Sequence, residues 1–218
     1  MTEIDPVSGE WILPPETGIP RRTVLLLCGG PEDGFPEKVR ELRGDPQLLY
    51  AGVSVSDWDA AYSPFPWISP AGRRFAGEAD ETGNRLLRLL ERISREYGPA
   101  EKPLIAGYSL GGLAALYLAC MNPGRFGGCV SCSGSFWFPG FIGWLREHRP
   151  DCPAELSLGG KEKNTHDPYM ARVEDATKEV CSLCSETVPS RFSLEPGGHF
   201  KDPEGRLARC LTRIEKIR

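Results

Sequence analysis

Ala106-Gly107-Tyr108-Ser109-Leu110-Gly111-Gly112 lies between a short apolar run, Pro103-Leu104-Ile105, and a long helical run, Leu113 to Met121. A serine with a glycine two residues to either side, on a strand-to-helix turn, fits the G-x-S-x-G nucleophile elbow. Such a turn must hold the serine hydroxyl in strained exposure, and a side chain at Gly107 or Gly111 would collide with neighbouring backbone. The helix that follows aims its free N–H groups back at the serine, where they stabilise an oxyanion. A glycine-rich turn carrying an ordinary serine is the alternative. With 25 glycines in 218 residues, chance supplies roughly 0.2 matches to the pattern, so the flanking strand and helix carry the assignment.

Outward from the elbow, strand and helix patterns alternate. Thr23 to Cys28 is continuously apolar and β-branched at its start, as expected of a strand covered on both faces, and Gly29-Gly30-Pro31 ends it. A short helix is expected over Pro36 to Leu42, and a second strand near Tyr50 to Val55. Ser56 to Gly77 has no clear periodicity, and so long a loop in a compact domain is usually functional. Asn84 to Tyr97 carries Leu86, Leu87, Leu90 and Ile93 at helical spacing, stopped by Gly98-Pro99. After the elbow come a strand at Gly128 to Ser133 and an aromatic, irregular or partly helical stretch at Ser135 to Glu147. A strand at Glu155 to Leu158 precedes a helix bearing Met170, Val173, Thr177, Val180 and Cys184 on one face. A last strand at Arg191 to Leu194 and a terminal helix with Leu207, Cys210, Ile214 and Ile217 complete the chain, and Trp11 to Leu13 can add an edge strand. This alternation predicts a single α/β domain over residues 1–218, a mainly parallel sheet with helices on both faces. Ligands in such sheets bind beyond the carboxyl ends of the strands, where the elbow, the Gly29-Gly30 turn, the 159–167 loop and the His199 loop converge.

Composition narrows the function. A net charge of −4 offers no basic stripe to neutralise phosphates or an anionic membrane. Met1 to Leu13 is acidic and polar, unlike a signal peptide, and no apolar run has spanning length, which predicts a cytoplasmic protein. Two of the eight cysteines' spacings are C-x-x-C, Cys129 with Cys132 and Cys181 with Cys184. A zinc site is the alternative reading; buried, hydrophobe-like thiols are the expectation, because residues three apart on a strand face opposite ways.

A serine hydroxyl needs a base, and three histidines are on offer. His148 sits in a polar stretch, His166 stands where an acid belongs in the order Ser, acid, His, and His199 follows the last strand in a glycine turn. His199 is the expected base. Its orienting acid belongs just after the 155–158 strand: Glu162 is the first candidate and Asp167 the second, with helix capping as the other use of either. One oxyanion donor is expected at the N–H of Leu110; the other comes from Gly29 or Gly30, since Pro31 has none, and Gly30 is preferred. Half of the 20 aromatic residues fall in two segments after strand ends. Trp58 and Trp67 in one, Trp137 and Phe138 in the other, and Tyr108 beside the nucleophile, are candidates to wall a substrate pocket; the same rings could instead form a small loop core.

Gly-Tyr-Ser-Leu-Gly-Gly at 107–112, Ser-Leu-Gly-Gly-Lys-Glu at 157–162 and Gly-Gly-His-Phe at 197–200 resemble the Putative esterase family of α/β-hydrolases, which includes esterase D-like and enterochelin esterase-like proteins. The resemblance runs from about Thr23 to the C-terminus. It implies a serine hydrolase cutting carboxylic or thiol esters through an acyl-enzyme, without cofactor or metal, with Ser109 as nucleophile, Glu162 as acid and His199 as base. Acyl transfer on the same residues, or binding of an ester-like ligand without catalysis, are the alternatives. Two departures stand out: Cys28-Gly29-Gly30 replaces the His-Gly type turn, and the short N-terminus predicts a sheet trimmed of its early antiparallel strands.

Overall fold

The computed structural model describes residues 2–98 and 100–217. The Pro99 half of the expected helix stop, and the two terminal residues of the 1–218 unit, lie outside them.

Beyond β1 (Glu3–Ile4) and β2 (Glu10–Leu13), the chain enters β3 (Arg22–Leu27), α1 (Phe35–Arg43) and β4 (Leu48–Val53). The irregular segment then holds α2 (Trp58–Tyr62) and a two-stranded hairpin, β5 (Trp67–Ile68) with β6 (Arg74–Phe75). Next are α3 (Ala79–Tyr97), β7 (Glu101–Tyr108), α4 (Leu110–Met121) and β8 (Gly128–Cys132). The chain finishes with α5 (Phe141–Leu145), β9 (Ala154–Gly159), α6 (Val173–Ser185), β10 (Ser190–Glu195) and α7 (Pro203–Ile214).

Eight strands form one sheet in the order β1-β2-β4-β3-β7-β8-β9-β10. The six from β4 to β10 run parallel, and β1 and β2 add antiparallel pairs at one edge. The expected trimming thus takes the form of short early strands, two and four residues long, not of missing ones.

Alternation along each strand sorts the core into two layers. Val24, Leu26 and Tyr50 face Val39 of α1 and Leu207, Cys210, Leu211 and Ile214 of α7. Leu25, Leu27, Leu49 and Ala51 face Leu86, Leu89 and Ile93 of α3 and the helix α4, which is buried from Leu110 to Ala119. Helices therefore cover both faces. The same alternation parts Cys129 and Cys132, which belong to opposite layers, so the two thiols cannot face one ligand. All eight cysteines are free.

The long helix α3 starts five residues ahead of its expected start at Asn84. Its extra turn carries Thr82 and Gly83, polar or small yet buried, with Gly83 pressed against Leu118. Close helix packing there, not apolar periodicity, extends the helix. Among the described residues, no helix is long and apolar enough to cross a membrane.

Candidate active site

Ser109 follows the last residue of β7 and precedes the first of α4, with φ 56° and ψ −125°, a left-handed backbone rare for a residue with a Cβ. Two glycines make the turn fit. A Cβ on Gly107 would lie 2.2 Å from the carbonyl oxygen of Gly111, and one on Gly111 would lie 2.6 Å from that of Leu27. The Ser109 N–H donates to Cys132 O at 2.9 Å, tying the turn to the neighbouring strand end. Leu110 opens α4, so its N–H belongs to the first turn, whose donors have no carbonyl one turn earlier.

Residues far apart in sequence meet at this turn. His199 Nε2 lies 3.1 Å from Ser109 Oγ, and His199 Nδ1 lies 2.8 Å from Glu162 Oε2. The Glu162 carboxylate is buried, and its other oxygen accepts from the Gly159 N–H at 2.6 Å, from Ser133 Oγ at 2.7 Å and from Arg206 at 2.8 Å. Burial works to raise its pKa, but the hydrogen bonds from His199, Ser133 and Gly159 outweigh burial and hold the carboxyl below its ordinary value. Asp167, the second candidate acid, is exposed and accepts from the N–H groups of Tyr169 and Met170, which is capping. His148 stacks on Trp144 at 4.5 Å, away from the serine.

A cavity of about 600 Å³ opens over Ser109 and His199. Gly29 borders it, with Leu27, Cys28 and Leu110; Gly30, the preferred second donor, does not. A Cβ on Gly30 would meet Glu32 and Ser54. The carbonyls of Cys28 and Gly29 are tied by Tyr62 Oη at 2.7 Å and the Val55 N–H at 2.9 Å, which fixes the peptide planes.

The aromatic candidates divide. Trp58, Trp137 and Tyr108 line the cavity, joined by Phe35, Phe75 and Phe200. Trp67 and Phe138 do not. Trp67 stacks on Phe75 at 5.3 Å and meets Phe138 edge-on at 5.5 Å, and Phe138 is buried. The two segments thus supply a ring core beneath the cavity and rings along its wall.

Arg206, Ser133 and the hydroxyl of Tyr108 were not singled out for this hydrogen-bond network by the sequence. The available signal was a charged residue at position 206, one turn before Cys210 on the helix face that packs into the core.

A model of the family described as "Putative esterase" matches residues 58–180, more than half of the chain. The chain belongs to that family. The chain is also similar to the iron(III) enterobactin esterase of Escherichia coli (strain K12), 44% identical over 54 residues. That stretch is 25% of this chain and only 14% of the enterobactin esterase. Among solved structures, an IroE-like serine hydrolase from Shewanella oneidensis superposes with a TM-score of 0.74 at 15% identity, over 95% of this chain and 74% of that one. The siderophore hydrolase EstB from Aspergillus nidulans gives 0.69 at 15% identity, over 99% and 94%. These likenesses establish a shared α/β-hydrolase fold for this esterase-family chain.

Proposed function

We propose that the protein hydrolyses carboxylic esters, or thiol esters, with Ser109 as nucleophile, His199 as base and Glu162 as the acid that orients it. The observation that carries this reading is the series from Ser109 Oγ to His199 Nε2 at 3.1 Å and from His199 Nδ1 to Glu162 Oε2 at 2.8 Å. His199 accepts the hydroxyl proton as Oγ bonds to the substrate carbonyl carbon, and the carbonyl π pair moves onto oxygen. The N–H of Leu110 and one from the Gly29 turn stabilise that oxyanion. As the pair returns, the bond to the leaving alcohol breaks and His199 gives the alcohol its proton. Water, deprotonated by the same imidazole, then attacks the acyl-enzyme and releases the acid and Ser109. The scheme calls for no cofactor, and for a partner no larger than the ester itself.

The cavity wall suggests which ester. Trp58, Phe75, Trp137 and Phe200 offer flat apolar surface. The charges at the wall are Asp33, Glu162 held by Arg206, and Arg73 held by Asp59, so no positive excess attracts an anionic substrate. An uncharged ester with an apolar or aryl group fits best. The second reading is a siderophore ester, favoured by the similarity to the iron(III) enterobactin esterase and the fold shared with EstB.

A fluorophosphonate probe is expected to label Ser109 and nothing in Ser109→Ala, which should also lose kcat by several orders of magnitude while keeping its fold. Activity surviving in Ser109→Ala would overturn the assignment. A panel of uncharged aryl and alkyl esters beside iron(III) enterobactin, with products separated by chromatography, decides between the two substrates. Added alcohols would reveal acyl transfer as a second product.

A further inference from the structure

Arg206 stands in the first turn of α7, and its side chain is 0% exposed. A guanidinium out of water is costly unless its N–H groups meet acceptors in the plane of its fork. Here Nη1 donates to Glu162 Oε1 at 2.8 Å, to the Tyr108 hydroxyl at 3.0 Å and to Ser133 Oγ. Nη2 donates to the carbonyls of Gly198 at 3.2 Å and Lys201 at 3.1 Å, which flank His199 in the chain. Nε has no protein partner. The Tyr108 hydroxyl closes the ring by donating to the carbonyl of His199 at 2.5 Å.

One guanidinium thus reaches four places at once: the end of β7 beside the nucleophile, the turn after β8, the loop after β9 that carries the acid, and the loop after β10 that carries the base. A charge needed only to cap one loop would not require all four. The geometry at Glu162 is more particular still. Oε1 is engaged by Arg206, Ser133 and the Gly159 N–H, so turning the carboxylate would break three bonds, and Oε2 stays on His199 Nδ1.

We propose that Arg206 is a positioning residue of the reaction, holding Glu162 in the one orientation that meets the imidazole while holding the backbone on both sides of that imidazole. Acid and base therefore keep their spacing as substrate enters and product leaves. The inference rests on the reading of Ser109 and His199 as nucleophile and base.

Arg206→Lys and Arg206→Gln test it. A lysine keeps the charge but offers one nitrogen in place of two, and a glutamine loses the charge. With the imidazole free to shift by about 1 Å, kcat is expected to fall about 10²-fold in Arg206→Gln. Arg206→Lys should fall between this and the parent, with KM changing far less in both. A structural role alone would not move a second readout, the proton NMR signal of the His199 Nδ1–H. That proton should resonate far downfield in the parent and be broadened or lost in Arg206→Gln.

A folded Arg206→Gln protein with parental kcat would overturn the proposal. So would one whose kcat falls while the downfield signal persists, because the loss would then act elsewhere. Should Arg206→Gln fail to fold, Tyr108→Phe removes a single oxygen from the same ring. Its effect on kcat should be smaller, and combined with Arg206→Lys it should be less than additive; full additivity would refute the shared network. The NMR signal is read without turnover. Failure of the esterase reading, seen as undiminished activity in Ser109→Ala, is therefore distinct from failure of the Arg206 assignment.

Discussion

Replacing Gly107 by alanine tests whether the elbow is as tight as its geometry requires. The added Cβ would stand 2.2 Å from the Gly111 carbonyl oxygen, 2.4 Å from its carbonyl carbon and 2.8 Å from the Gly112 nitrogen. Ordinary contact begins near 3.4 Å, so the start of α4 would have to retreat by about 1.2 Å from β7. Neither side can yield through a side chain, because the atoms struck are backbone and α4 is buried along its length. Overpacking of this kind costs about 1–3 kcal/mol. At ~2 °C to ~4 °C per kcal/mol for a chain of this size, Tm should fall by roughly 2 to 12 °C. The retreat also drags Ser109 from the imidazole, and a misplacement of about 1 Å costs about 10²-fold in rate. Circular dichroism melting and steady-state kinetics on one aryl ester measure both. A Gly107→Ala protein with unchanged Tm and kcat would show that the turn is slack and that Gly107 is not what holds Ser109 in place.

Other consequences follow from the titrating groups. Because the folded pKa of Glu162 lies below its ordinary value of 4.5, the group adds stability that is full above that value and is lost as pH falls through the depressed one. Urea midpoints between pH 6 and pH 3 should therefore decline more steeply in the parent than in Glu162→Gln; equal slopes would refute the assignment. Glu162→Gln should also lower kcat by up to about 10⁴-fold, since an amide cannot stabilise the imidazolium. Burial pushes the thiols of Cys152 and Cys184 up to about 12 and those of Cys28, Cys120 and Cys129 upward as well. Ellman's reagent at pH 8 should react slowly with the native protein and with all eight thiols after unfolding.

The elbow turn and the alternation of strands and helices were legible because each rests on local chemistry, glycines at a tight turn and apolar periodicity, and the turn residues after strands pointed to the side chains of Ser109, Glu162 and His199 that the fold brings together. What escaped had non-local causes. The start of α3 depends on Gly83 meeting Leu118, a contact between two helices. The hairpin of β5 and β6 has two residues per strand, too few for any period, and is held by rings such as Trp67 on Phe75. Gly29 and Gly30 are the same residue type in adjacent positions, and it is the fold that sets only Gly29 at the cavity border. Arg206 carried only the signal of a charge on the core face of α7, and its partners at the end of β7 and in the turns after β8, β9 and β10 are set by the fold.

Three of the six aromatic rings that border the cavity, Trp58, Phe75 and Trp137, come from the segments after β4 and after β8, whereas Glu162 and His199 ride on the loops after β9 and β10. On the proposed reading, that half of the wall and the proton relay are housed in separable parts of the chain, while Tyr108 and Phe200 stay tied to the relay. Evolution or an engineer can exchange Trp58 or Trp137 to admit a different ester without disturbing the imidazole, so relatives with one reaction and divergent diets are what this architecture favours.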